Sequence, residues 1–64
     1  TICEVAEKYF ANNSHENAFE LLLKHYPKHK EKTKNKILEF FNILGNGNNL
    51  TIEYRKKLSQ MMFS

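Results

Sequence analysis

Apolar residues recur along this chain with the period of an α-helix, in four blocks separated by polar clusters. In the first block Ile2, Val5, Ala6, Tyr9 and Phe10 stand at i, i+3, i+4, i+7 and i+8, which is one stripe of a helix. The spacing predicts a helix over 2–12, ended by Asn12-Asn13-Ser14, residue types that favour turns and caps over helix interiors. Asn13 or Ser14 then caps a second helix over 15–26. With Asn13 in that role, Glu16 stands three residues on and can reach back to the cap amide. Ala18, Phe19, Leu21, Leu22, Leu23 and Tyr26 form a wide apolar arc, so this helix should be covered on two sides. Pro27 should stop it, because the residue before a proline disfavours the α region.

The stretch from Lys28 to Lys36 is strongly charged and carries no hydrophobic side chain apart from lysine stems. Part of it reads as loop and the rest as the exposed start of a third helix over 31–44. The apolar stripe returns there as Ile37, Leu38, Phe40, Phe41 and Leu44. Adjacent residues lie about 100° apart on a helix, so one of Phe40 and Phe41 is expected to face outward. Gly45 sits where a left-handed residue closes a helix, and Asn46-Gly47-Asn48-Asn49 is a turn cluster. Asn46-Gly47 also suits a β-hairpin turn, but its flanks show helical spacing and not alternation. A fourth helix over 49–62 follows, with Leu50, Tyr54, Leu58, Met61 and Met62 in phase. Ala18, Leu22, Phe41, Leu44, Tyr54 and Leu58 are the expected core.

Four helices joined by short loops give an all-α fold of two antiparallel helix pairs. Corresponding points of the pairs lie roughly thirty residues apart, the period of helical repeats of the tetratricopeptide class. Ala6 and Ala18 fit that class's use of small residues where helices cross closely. The second pair fits the pattern poorly, so the repeat is degenerate.

Three blocks carry a more specific resemblance. Ala18-Phe19-Glu20-Leu21-Leu22-Leu23, then Ile37 to Gly45 with Phe41 as the central aromatic, then Leu50, Glu53-Tyr54-Arg55 and Leu58 stand in order. The set resembles the helical repeats that follow the thioredoxin domain in bacterial thioredoxin-like co-chaperones of the YbbN or chaperedoxin type. It spans about Glu4 to Phe63. Lys34 stands where that family usually has Arg. The resemblance implies the C-terminal module of a co-chaperone that holds non-native clients or docks onto chaperone machinery. No Cys-x-x-Cys pair is present, so no redox role carries over.

Composition narrows the chemistry further. The chain has 64 residues, one domain's worth, and begins without methionine, as an excised piece of a longer protein would. Cys3 is the single cysteine, so neither a disulfide nor a cysteine zinc site can form within the chain. A domain this small without disulfides points to a reducing compartment, the cytoplasm. No apolar run reaches the ~20 residues of a membrane span. Nine lysines, one arginine, eight asparagines and no aspartate suggest a coding bias. That bias explains the sequons Asn12-Asn13-Ser14 and Asn49-Leu50-Thr51 as accidents.

His25 and His29 have the spacing of zinc ligands on one helix face, but Pro27 separates them. Cys3 lies in the first helical turn, with no residue in view to orient a base beside it. Phosphate-loop, dinucleotide-binding and hydrolase motifs are absent, so neither an enzyme nor a cofactor or metal is expected. The strongest rival signal is charge: residues 24–36 hold six lysines and one glutamate, a local +5 within a net +3. A small basic nucleic-acid-binding domain is the competing reading. Against it, Lys28, Lys30, Lys32, Lys34 and Lys36 alternate and wind round the helix, and arginine is nearly absent. The favoured function is protein binding through Phe40, Met61, Met62 and Phe63. Three consecutive residues at the end of the fourth helix span about 200°, so at least one must face solvent. The partner would be a client polypeptide, a chaperone, an upstream domain or a second copy of the chain.

Overall fold

The computed structural model describes residues 1–63. Four helices follow one another: α1 (Ile2–Ala11), α2 (His15–His25), α3 (Lys30–Leu44) and α4 (Asn49–Met62). Among the described residues there is no strand. The loops are three or four residues long, which makes each helix antiparallel to the next. Beyond the pairs adjacent in sequence, α1 also contacts α3 and α2 also contacts α4. The backbones of α1 and α4 do not approach. The inner helices α2 and α3 therefore have three neighbours each, and the outer helices have two. The Cα trace measures 29 × 28 × 15 Å, a flat slab.

The helix ends depart instructively from the sequence reading. Asn13 is not the cap of α2. It takes a left-handed φ of 64°, its N–H donates to the Phe10 carbonyl, and the Ser14 N–H donates to the Tyr9 carbonyl at 2.8 Å. That pair of bonds is a Schellman closure of α1, and asparagine tolerates the left-handed region better than most residues. Ser14 becomes the N-cap of α2 without a side-chain bond, so the Glu16 capping box does not form. The capping box stands instead at the start of α1, between Thr1 and Glu4. Gly45, expected in the left-handed helical region, lies at φ 91° and ψ 154°, an extended conformation essentially confined to glycine. Asn48 caps α4, its side-chain oxygen accepting from the Leu50 N–H at 2.8 Å.

Pro27 ends α2 by a different route from the one expected. Tyr26 remains in the α region at φ −54° and ψ −44°. Helical bonding fails because proline has no N–H to offer the Leu23 carbonyl, which accepts from Tyr26 instead. The chain then turns tightly into α3, and Thr33 closes the turn by donating its hydroxyl to the His29 carbonyl at 2.8 Å.

Phe19 is the hub of the core. Its ring meets Phe10 of α1 edge-on at 6.4 Å, Phe40 and Phe41 of α3 at 5.9 and 5.4 Å, and Tyr54 of α4 in a stack at 4.7 Å. Leu22, Ile37, Tyr54 and Leu58 fill the space around it, all buried. Ala6 of α1 and Ala18 of α2 are fully buried members of the same core. Leu44, placed in the core by its phase, is half-buried and packs against the core's edge.

Candidate protein-binding surface

The residues singled out for binding part company in the structure. Phe40 does not face outward: it is buried, as is Phe41. The expectation failed because α3 is covered on two sides. Phe40 stacks on Phe10 of α1 at 4.1 Å, while Phe41 turns towards α2 and α4, where the Arg55 guanidinium lies 5.3 Å from its ring centre. An arc of 100° on an inner helix needs no solvent. Met61 is half-buried and packs against the core. Met62 is 45 % exposed and Phe63 is 87 % exposed, a large apolar surface at the end of α4.

Further apolar positions open on the flanks of the slab. On α1, Cys3, Glu7 and Phe10 face α3: the Cys3 thiol is 3.9 Å from the Lys32 carbonyl, and Glu7 pairs with Lys36. Val5 stands two residues from Cys3 and Glu7, roughly 200° round the helix, and is exposed along with Tyr9. On α3, Lys36 and Phe40 face α1, and Leu38 stands two residues from each, on the opposite flank and exposed. The sequence pattern did not reveal this, because an amphipathic stripe shows which arc is apolar and not which part of it has a neighbour.

Electrostatics hold the helices in register. Tyr54 donates its hydroxyl to Glu20 at 2.8 Å, and Lys57 reaches the same carboxylate at 3.2 Å, tying α4 to α2. The Tyr54 bond lowers the Glu20 pKa, and burial, helped by Glu20, raises that of the Tyr54 phenol. Lys36, in the stretch expected to be loop and exposed helix start, bridges Glu7 of α1 at 2.9 Å and Glu39 at 3.0 Å. Those two partners raise its pKa. Only part of the basic run is therefore free. Lys28, Lys30 and Lys32 stay exposed at the α2–α3 turn. The antiparallel order brings the end of α4 to this same end of the molecule.

A cavity of about 400 Å³ lies between the starts of α1 and α3, lined by Thr1, Ile2, Cys3, His29, Lys32 and Thr33. A larger hollow of about 510 Å³ is lined by residues of α4 alone and is surface relief. Among the described residues, no three histidine, cysteine or acidic side chains converge as metal ligands would. No helix among them is long and apolar enough to cross a membrane. A family model described as tetratricopeptide repeat matches residues 1–63. No curated protein and no solved structure matches the chain.

Proposed function

We propose, for a chain that belongs to the tetratricopeptide repeat family, that the end of α4 is its protein-docking surface, with Met62 and Phe63 as apolar anchors and the basic α2–α3 turn as rim. Repeats of this family mediate protein–protein interaction and are not catalytic. The observation that carries the proposal is the 87 % exposure of Phe63 beside the half-exposed Met62. Aromatic and methionine side chains are over-used at binding surfaces, where they are adaptable and apolar. Met61 supports them from the core side.

The finer reading is a co-chaperone: the C-terminal module of a longer thioredoxin-like cytoplasmic protein that holds unfolded clients or docks onto a chaperone. The three resembling blocks support it. Their residues Ala18, Leu22, Phe41, Tyr54 and Leu58 are all buried, so the blocks coincide with the framework of the fold. The probe is a permanently reduced, unfolded model polypeptide. Truncation after Gln60 should weaken its capture more than it lowers the melting temperature. If melting collapses while the residual folded fraction binds normally, these residues are core and the docking surface lies elsewhere. A salt titration separates the competing reading: phosphate contacts weaken steeply with salt and apolar docking does not.

A further inference from the structure

The chain has eight asparagines, and the fold treats one of them differently from the rest. Asn17, Asn35 and Asn42 lie within helices, where the amide that follows each is held in the helical ladder. The amide after Asn12 donates to the Phe10 carbonyl, and the amide after Asn13 donates to the Tyr9 carbonyl. Asn48 has its side-chain oxygen engaged by the Leu50 N–H, which is also the amide after Asn49. Asn46 alone combines an exposed side chain, a following amide with no hydrogen-bond partner among the described residues, and a following residue without a side chain. Asn46 and Gly47 are the two central residues of the turn closed by the Asn48 N–H on the Gly45 carbonyl at 3.2 Å.

The electrophile is prepared as well. The Arg55 guanidinium donates to the Asn46 side-chain oxygen at 3.2 Å. A cation on that oxygen draws electron density from the side-chain carbonyl carbon, which is the atom a nucleophile must attack. Among the described residues nothing lies within 4 Å of where a Cβ on Gly47 would stand, and Gly47 is exposed, so the turn is open to solvent there.

We propose that Asn46 is a site of spontaneous covalent modification in the folded protein, converting to aspartate or isoaspartate through a cyclic imide with the Gly47 amide. The Gly47 nitrogen, losing its proton to solvent base, forms a bond to the Asn46 side-chain carbonyl carbon. The bond from that carbon to the side-chain nitrogen breaks, and ammonia leaves. Water then opens the imide at one carbonyl or the other, giving aspartate with the original backbone or isoaspartate with one extra backbone carbon. No oxidation or reduction occurs, and water is the only co-reactant.

The two products act oppositely on α4. Aspartate at 46 places a carboxylate against Arg55, turning a neutral hydrogen bond into an ion pair close to the start of α4, where negative charge is favourable. Isoaspartate lengthens the turn that sets the Asn48 cap, and so loosens the start of α4. In either case the turn gains a negative charge with time and without an enzyme.

The test incubates the folded chain in mildly alkaline buffer at physiological temperature and follows it by peptide-resolved mass spectrometry. An isoaspartate-specific methyl-transfer assay runs beside it. The expected result is a mass gain of about one dalton confined at first to the peptide bearing Asn46. The methyl-accepting product should be absent in Asn46→Gln. Gly47→Ala is the structural control: Gly47 has an ordinary φ and free space, so alanine fits the turn but hinders the attacking amide. It should keep the melting temperature and slow the gain several-fold. A first conversion at another asparagine, or a Gly47→Ala chain that converts as fast as the parent, would overturn the proposal.

Discussion

α1 and α2 each bury an alanine completely, Ala6 and Ala18, and their backbones run close together over most of the hairpin. Where α3 meets α4 the approach is confined to a short stretch, and bulky side chains, Phe41, Tyr54 and Leu58, fill the gap. Small residues let helix axes draw together, and large ones hold them apart. The second hairpin makes up the difference by leaning on the first. Phe41 and Tyr54 both pack on Phe19 of α2, and Tyr54 and Lys57 share the carboxylate of Glu20. The first hairpin is thus the template and the second is bound to it, which leaves the end of the second free to serve another purpose.

The largest effect should come from breaking the template. Leu22 is fully buried on α2, and Leu22→Ala should cost roughly 2–5 kcal/mol. A domain of this size has a stability of only about 3–10 kcal/mol at typical values per residue. Thermal unfolding followed by circular dichroism should show much of the population unfolded, with both hairpins lost in one transition. Persistence of α3 and α4 while α1 and α2 unfold would show that the second hairpin does not depend on the first. Next in size is overpacking of the close crossing. Ala18→Leu forces the α1–α2 backbones apart and should cost about 1–3 kcal/mol or more, read from the midpoint of a urea titration.

Much of this contrast is legible in the chain itself. The alanines at 6 and 18 announce a close crossing, and the absence of their counterparts announces a looser second pair. Helix positions follow from period and loop chemistry to within a residue. What the pattern cannot convey is which neighbour covers each part of an apolar arc. On an isolated α3 one of Phe40 and Phe41 would face solvent, whereas in the fold α3 has α1 on one side and α2 and α4 on the other. Val5 and Tyr9 belong to the apolar stripe of α1 yet are exposed for the converse reason, since α1 has neighbours on only part of its apolar arc. Lys36 looked solvated because its partner Glu7 is distant in sequence. The exposed end at Met62 and Phe63 was legible, because three consecutive apolar residues cannot all turn inward on a terminal helix.

Smaller effects sharpen the account of how the second hairpin is held. Tyr54→Phe keeps the stack on Phe19 and removes the hydrogen bond to the mostly exposed Glu20, which should cost about 1 kcal/mol. It should also alter the alkaline limb of stability. Burial first, and then Glu20, raise the Tyr54 phenol above its ordinary 10.0. The fold therefore keeps a proton that the unfolded chain releases. The stabilisation is complete below about pH 10 and declines as pH rises beyond it. Tyr54→Phe should flatten that decline, leaving the part due to Lys36 and Lys57, whose pKa values are also raised by their carboxylate partners. Denaturation midpoints measured from neutral to strongly alkaline pH decide this, and an unchanged slope would contradict it.

The smallest expected change has the opposite sign. Thr51 is fully buried in the first turn of α4, and its hydroxyl has no hydrogen-bond partner among the described residues. A buried polar group without a partner is costly, and valine has nearly the same shape. Thr51→Val should leave stability unchanged or raise it by up to about 1 kcal/mol. A loss of stability in the same urea titration would mean that the hydroxyl is satisfied in solution.

The claim that the end of α4 serves binding and not folding is tested most directly by Met62→Ser combined with Phe63→Ser, which spares Met61 and the core. Affinity for the unfolded model polypeptide and the melting temperature are measured on the same preparations. The expected result is a melting temperature close to that of the parent chain and a clear loss of affinity. Unaltered affinity with an unaltered melting temperature would contradict the account, because the exposed methionine and phenylalanine would then serve no partner.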